Sequence, residues 1–145
     1  MDDVPRNRGK NLTLLCALTV AGPAAPLVVD GGVNGQVFVA YVREVLVPVL
    51  RPGQVVVLDN LGAHLRPKVR ALVEATGALL VYLPPYSPDL NPIEFMFSKL
   101  KAALRALAAR TREGVLEALR QALDTVTASD AQGWFRQVLS LQLLR

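Results

Sequence analysis

Two acids are the residues most able to do chemistry in this 145-residue chain. Asp59 ends the apolar run Gln54-Val55-Val56-Val57-Leu58-Asp59-Asn60. Glu94 closes Leu83-Pro84-Pro85-Tyr86-Ser87-Pro88-Asp89-Leu90-Asn91-Pro92-Ile93-Glu94, and 34 residues separate the two. Carboxylates presented at a strand end and at a helix start are hard oxygen donors of the kind Mg²⁺ accepts. Brought together by a fold, they point to metal-assisted phosphoryl transfer on nucleic acid.

Each acid also has a plainer local reading. Ligands of open α/β sheets gather at the carboxyl ends of the strands, where Asp59 falls, but an Asp-Asn pair is also an ordinary turn or capping element. Glu94 follows Asn91, a potential N-cap, and Pro92, suited to the first helical position. An acid there complements the helix dipole with no catalytic purpose. Against that, Pro84, Pro85, Pro88 and Pro92 restrict the backbone on each side of Tyr86, as befits an acid being positioned. His64, five residues past Asp59, could reach a phosphate or a nearby acid, though a lone histidine is more often structural. Asn60, Tyr86 and Asn91 are candidates to orient the carboxylates by hydrogen bonds. Lys99, Lys101 and Arg105 could contact phosphates from the helix that begins at Glu94, or could equally face solvent.

The segments Val57-Leu58-Asp59-Asn60-Leu61-Gly62-Ala63-His64, the Leu83 to Glu94 run, Ser98-Lys99-Leu100-Lys101 and Arg105 together resemble the bacterial insertion-sequence branch of the mariner transposase superfamily. The spacing of 34 matches that family too. The resemblance covers about residues 8–106 and implies a DDE catalytic domain of RNase H-like α/β fold. It implies Asp59 and Glu94 as catalytic metal ligands, with two Mg²⁺ or Mn²⁺ ions in the complete enzyme. It also implies DNA partners, both transposon ends and target, and dimeric synapsis. The family's first catalytic Asp lies on a strand upstream of the segment resembling Arg8-Gly9-Lys10-Asn11-Leu12-Thr13, and this chain begins too late to include it. Asp2 and Asp3 stand beside Pro5 in a polar leader with no apolar run before them, so they are poor substitutes. The expectation is a truncated fold lacking its first strand, with a helical C-terminal extension over about 107–145. The missing part would come from a separate or frameshifted reading frame.

Composition narrows the class. Hydrophobic residues make up 52% of the chain and its net charge is +4, enough apolar content for one packed domain over 1–145. No uninterrupted apolar run is long enough to span a membrane, and Met1-Asp2-Asp3-Val4-Pro5-Arg6 lacks the apolar stretch of a secretory signal. A cytoplasmic protein is expected. With only Cys16 and His64 of their kinds, neither an internal disulfide nor a zinc site of Cys and His ligands can form. Residues 95–112 hold Lys99, Lys101, Arg105, Arg110 and Arg112 and no acid, a pattern compatible with a phosphate backbone or with a solvated helix face.

The elements follow from pattern. Asn11 to Thr19 and Leu27 to Val29 read as strands joined through a Gly22-Pro23 turn. Phe38, Tyr41, Val42, Val45, Leu46 and Val49 share one face of a helix from about Gly35 to Leu50, stopped by Pro52-Gly53. Gln54 to Leu58 is apolar on both faces, as for a strand covered by helices on each side. A helix after Pro67, a stop at Gly77 and a strand over Ala78 to Leu83 complete a parallel βαβ unit. Beyond Glu94 the chain reads as helix almost to its end, broken at most near Thr111 to Gly114. Leu100, Leu104 and Leu107 form one stripe, Leu116, Leu119 and Leu123 a second, and Trp134, Phe135, Val138 and Leu139 belong to a last, capping helix.

Two functions compete at this stage. One is the carboxy-terminal part of a DDE transposase that cuts DNA and transfers strands, inactive alone for want of its first Asp. The other is a decayed, non-catalytic remnant or a basic module that binds DNA or a partner. Without its first strand, the expected fold would leave backbone groups of neighbouring strands unpaired, at about 1–3 kcal/mol for each buried group. The isolated chain is therefore expected to be marginal and prone to aggregate at its open edges.

Overall fold

The structure, a computed structural model, describes residues 12–59, 66–84 and 91–143, with side chains followed to residue 138. The element order is β1 (Leu12–Thr19), β2 (Gly22–Asp30), α1 (Gly35–Tyr41), a π turn (Val42–Leu46), a 3-10 turn (Val47–Val49), β3 (Val55–Leu58), α2 (Pro67–Glu74), β4 (Leu79–Tyr82), α3 (Ile93–Leu107), α4 (Arg112–Asp124) and α5 (Ala128–Leu143). Among the described residues no helix is long and apolar enough to cross a membrane. The chain divides into two compact units, Val33–Asn91 and the remainder.

In the larger unit, β1 and β2 pair antiparallel, with Thr19 opposite Gly22. The reversal therefore lies at Val20-Ala21, earlier than the Gly22-Pro23 turn expected from sequence, and Pro23 already sits in β2 opposite Leu18. Thr19 makes the early turn: its hydroxyl donates to the Gly22 carbonyl at 3.0 Å and accepts from the Ala21 amide at 3.1 Å, a local bond that competes with strand continuation. Between the pairs Leu15–Leu27 and Ala17–Ala24 the register slips by one residue on β2. The bulge places Ala25 at φ 52°, and Pro26 follows where no ladder donor is needed.

The core of this unit is Leu12 and Leu14 of β1 against Met96, Phe97, Leu100 and Leu104 of α3 and Val115, Ala118, Leu119 and Ala122 of α4. Two corrections to the expected stripes arise here. Leu107 is 44% exposed and Leu116 37%. Leu107 is the last residue of α3 before Ala108 turns left-handed at φ 49°, and the buried face of α4 runs through Val115, Ala118, Leu119 and Ala122 instead. Thr111 caps α4, its hydroxyl accepting from the Gly114 amide at 3.0 Å. The helical tract is broken a second time, at Thr127, which caps α5: the Asp130 amide donates to Thr127 Oγ1 and the Thr127 amide to Asp130 Oδ2, a capping box. Trp134 packs on the core and stacks with Phe95, and Val138 is buried. The Leu139 side chain lies outside the described residues.

In the unit Val33–Asn91, Asn34 caps α1 by accepting from the Val37 amide at 2.9 Å. The helical stretch reaches about as far as its periodicity predicts, but its winding changes twice. Pro48 has no N–H to give the ladder, and the π and 3-10 turns rotate the face, so Phe38, Tyr41, Val42 and Leu46 are buried while Val49 is 48% exposed. β3 and β4 pair in parallel, Val55 with Leu79 through Leu58 with Tyr82, as the βαβ reading predicts. Gly77 stops α2 at φ +88°, with Pro52 crowding the place a side chain would take. The expectation that helices cover both faces of β3 is corrected. Arg70 of α2 donates to the Leu80 carbonyl and lies over the Tyr82 ring, and Val69, Val73 and Leu80 are buried. The opposite face, Val55, Val57, Leu79 and Val81, is 42–58% exposed.

Candidate active site

The parallel pair sets the position of Asp59. The Leu83 amide donates to the Leu58 carbonyl at 2.8 Å, so the ladder runs to the point where both strands end. Asp59 leaves β3 and the proline run leaves β4 at the same carboxyl edge. Asp59 is half-buried, and its Oδ1 atom is sealed from solvent. Burial also pushes the Tyr82 hydroxyl above its ordinary range, against the opposing charge of Arg70.

Glu94 is exposed in the first turn of α3, in the other unit. Pro92 is buried and already helical, φ −63° and ψ −18°, and its carbonyl accepts from the Phe95 amide at 3.1 Å. The proline thus presets the helix that carries the acid. Asn91 stands just before it, half-buried and engaged in interactions of its own. Asn60, His64 and Tyr86, like Asp2 and Asp3, lie outside the described residues.

The basic residues divide. Lys99 is held within the fold, its ammonium 2.5 Å from Asp130 Oδ2 and 2.8 Å from the Thr125 carbonyl. Arg112 pairs bidentately with Asp30, which raises its pKa further. Lys101 is half-buried with interactions of its own, while Arg105 is exposed. Sequence reasoning passed over Arg66, at the N-cap of α2. Its guanidinium lies where a Cβ at Gly35 would stand, 2.2 Å from Nε and 2.5 Å from Cζ and Nη2. No spacing rule links positions 35 and 66, so nothing in the sequence signals that contact.

The fold and the two acids define the class: an α/β protein with oxygen donors at a parallel-strand end and in the first turn of a helix. The DDE superfamily endonuclease model matches residues 1–116, and the chain belongs to that family. Among solved structures, the chain is similar to the Mos1 transposase catalytic domain with Raltegravir and Mg, at TM-score 0.76 and 19% identity, over 94% of this chain and 74% of that one. It is also similar to the Mos1 paired-end complex with left transposon end (TM-score 0.64, 21% identity) and the Mos1 strand transfer complex (0.67, 20%). Each of these two matches covers 94% of this chain, which spans only 42% and 41% of the respective transposase chains. At such identities the likeness establishes the fold, which is RNase H-like. No curated protein matches the sequence.

Proposed function

We propose that this chain carries catalytic-domain residues of a DDE transposase from the bacterial insertion-sequence branch of the mariner superfamily, cutting DNA at transposon ends and joining it to target. The observation that carries the reading is Asp59 at the carboxyl edge of a parallel strand pair, followed after 34 residues by Glu94 in a proline-preset helix start.

The donor set fits a hard divalent cation in kind: both groups are carboxylates, and one has an oxygen sealed from water. Asp59 and Glu94 would hold Mg²⁺ or Mn²⁺, which when bound activates a water or 3′-hydroxyl and stabilises the leaving oxygen. The chain's own part is to present the acids from stiff elements. The β3–β4 ladder holds Asp59, and Pro92 with the first turn of α3 holds Glu94. Asn60, His64, Tyr86 and Asn91 are assigned to orienting the acids or the phosphate, and Lys101 and Arg105 to contacting DNA. Lys99 can do so only by leaving Asp130.

Among the described residues no group of three or more His, Cys, Asp or Glu side chains is placed to hold a metal. In this reading Asp59 and Glu94 supply two of the three acids of a DDE site. The Mos1 paired-end complex with left transposon end supports DNA and a second copy of the chain as partners, and the reading includes action in the cytoplasm. Residues 1–145 belong to a single catalytic domain in this reading.

The test is nicking of transposon-end DNA in Mg²⁺ or Mn²⁺, by this chain alone and joined to the amino-terminal part of a related transposase. Metal-dependent cleavage lost in both Asp59→Asn and Glu94→Gln supports the reading; cleavage that survives either substitution removes the site. The open β3–β4 face, with Val55 and Leu79 both more than half exposed, favours a second reading, a non-catalytic remnant or basic binding module. That reading is left standing if both forms bind DNA without cutting it.

A further inference from the structure

Arg66 is placed in a way that packing alone does not explain. Its guanidinium occupies the space over Gly35 that any side chain there would claim, yet the residue is exposed. Among the described residues no hydrogen bond or ion pair engages it. A guanidinium laid on bare backbone keeps its five N–H donors for something else. Lys68, also exposed, follows one residue beyond Pro67, and no acid lies in the first turn of α2. Two cations at the start of a helix oppose its dipole, which favours negative charge there. The arrangement becomes favourable when an anion arrives.

Topology says where that anion would sit. β3 and β4 run parallel, so the helix between them must run back, and α2 starts at the carboxyl edge of the pair. Asp59 leaves β3 at that same edge. We propose that Arg66, seated on Gly35, together with Lys68 binds backbone phosphate of the DNA brought to Asp59. This rests on the DNA-acting reading above and adds to it a docking site on the strand-edge side. Arginine suits the task because its planar fork can meet two phosphate oxygens at once, and the glycine shelf limits the freedom lost on binding.

The experiment measures affinity of the full chain for a fluorescein-labelled duplex across a salt series, without divalent metal. Arg66→Ala should weaken binding roughly tenfold at low salt, the scale of one hydrogen-bonded charge contact, and make the logarithmic salt slope shallower by about one. Arg66→Lys should keep the slope but lose part of the affinity, since charge remains and the fork does not. Gly35→Ala should act through Arg66, because the methyl displaces a flexible side chain rather than backbone. It should weaken binding in the wild type and add nothing in an Arg66→Ala background. Wild-type affinity and slope in Arg66→Ala would overturn the inference, as would a Gly35→Ala effect that persists without Arg66. The Arg66 variants decide the matter even if Gly35→Ala fails to fold. Lost DNA affinity in Arg66→Ala, with no cutting by the wild type even when an amino-terminal transposase segment is supplied, would defeat the catalytic reading alone. Normal cutting and binding by Arg66→Ala would defeat this inference alone, and a wild type without salt-dependent binding would defeat both.

Discussion

The Lys99 ammonium lies 2.5 Å from the Asp130 carboxylate and 2.8 Å from the Thr125 carbonyl, pinning α3 to the connection between α4 and α5. Asp130 is at the same time the acid of the capping box that starts α5. A residue that charge pattern alone groups with DNA contacts is thus tied into the fold, and this changes what its removal should do.

Lys99→Ala should lower the thermal midpoint at neutral pH and leave the salt slope of DNA binding near that of the wild type. The hydrogen bond from Lys99, then that from the Thr127 amide, hold the Asp130 carboxyl below its ordinary 3.8. A depressed carboxylate stabilises the fold above the unfolded pKa and loses that contribution as pH falls through the folded one. The midpoint difference between Lys99→Ala and wild type should therefore be full above about pH 4 and shrink on further acidification. A difference unchanged down to pH 2 would show that the ion pair is not its source. Melting curves across pH read this directly.

Leu100 and Leu107 share a stripe in sequence but not in space. Leu100 is 2% exposed and Leu107 44%. Leu100→Ala should cost about 2–5 kcal/mol through lost burial and a residual cavity. Leu107→Ala should stay within about 0.5 kcal/mol. Denaturant titration of the two variants checks the contrast, and equal losses would contradict the packing of α3.

Asp59→Asn and Glu94→Gln should each reduce metal-dependent nicking by at least about 100-fold, the upper range for disturbing even a partner of a metal ligand. Duplex affinity measured without metal should change little or rise, because a negative charge is removed near phosphate. A gel assay of nicking alongside anisotropy separates the two effects.

Val55 and Leu79 are directly paired on the open face of β3 and β4. Val55→Lys or Leu79→Lys should raise the concentration at which the isolated chain stays in solution, since a charge blunts an apolar strand surface. Stability should change by no more than about 0.5 kcal/mol. A large drop in thermal midpoint would mean that the face is covered in the protein as it exists in solution.

Much of the architecture could be read from local pattern, because local chemistry decides it. Two apolar runs mark the hairpin, although its turn falls at Val20-Ala21 and not at Gly22-Pro23, Gly77 stops α2, and the break near Thr111 separates α3 from α4. A strand, a helix and a strand in that order make a parallel pair, which places Asp59 at its carboxyl edge, and Pro92 sets the helix start that carries Glu94. Part of what failed depended on neighbours far away in the chain, and part on local changes of backbone winding. Pattern alone covered β3 on both faces, yet one face stands open, because apolar residues record the capacity to be buried and not the presence of a cover. Leu107 and Val49 keep the right spacing, but a left-handed cap and a change of helical winding turn them to solvent.

The sequence by itself determined the residue types, the acids' spacing and the family, since these are properties of order along the chain. Only the tertiary structure decided that Lys99 is bound to Asp130, 31 residues away, and that Arg66 rests on Gly35. Such pairings arise from packing between segments with no sequence period in common, so their partners become visible only when the backbone brings them within bonding distance.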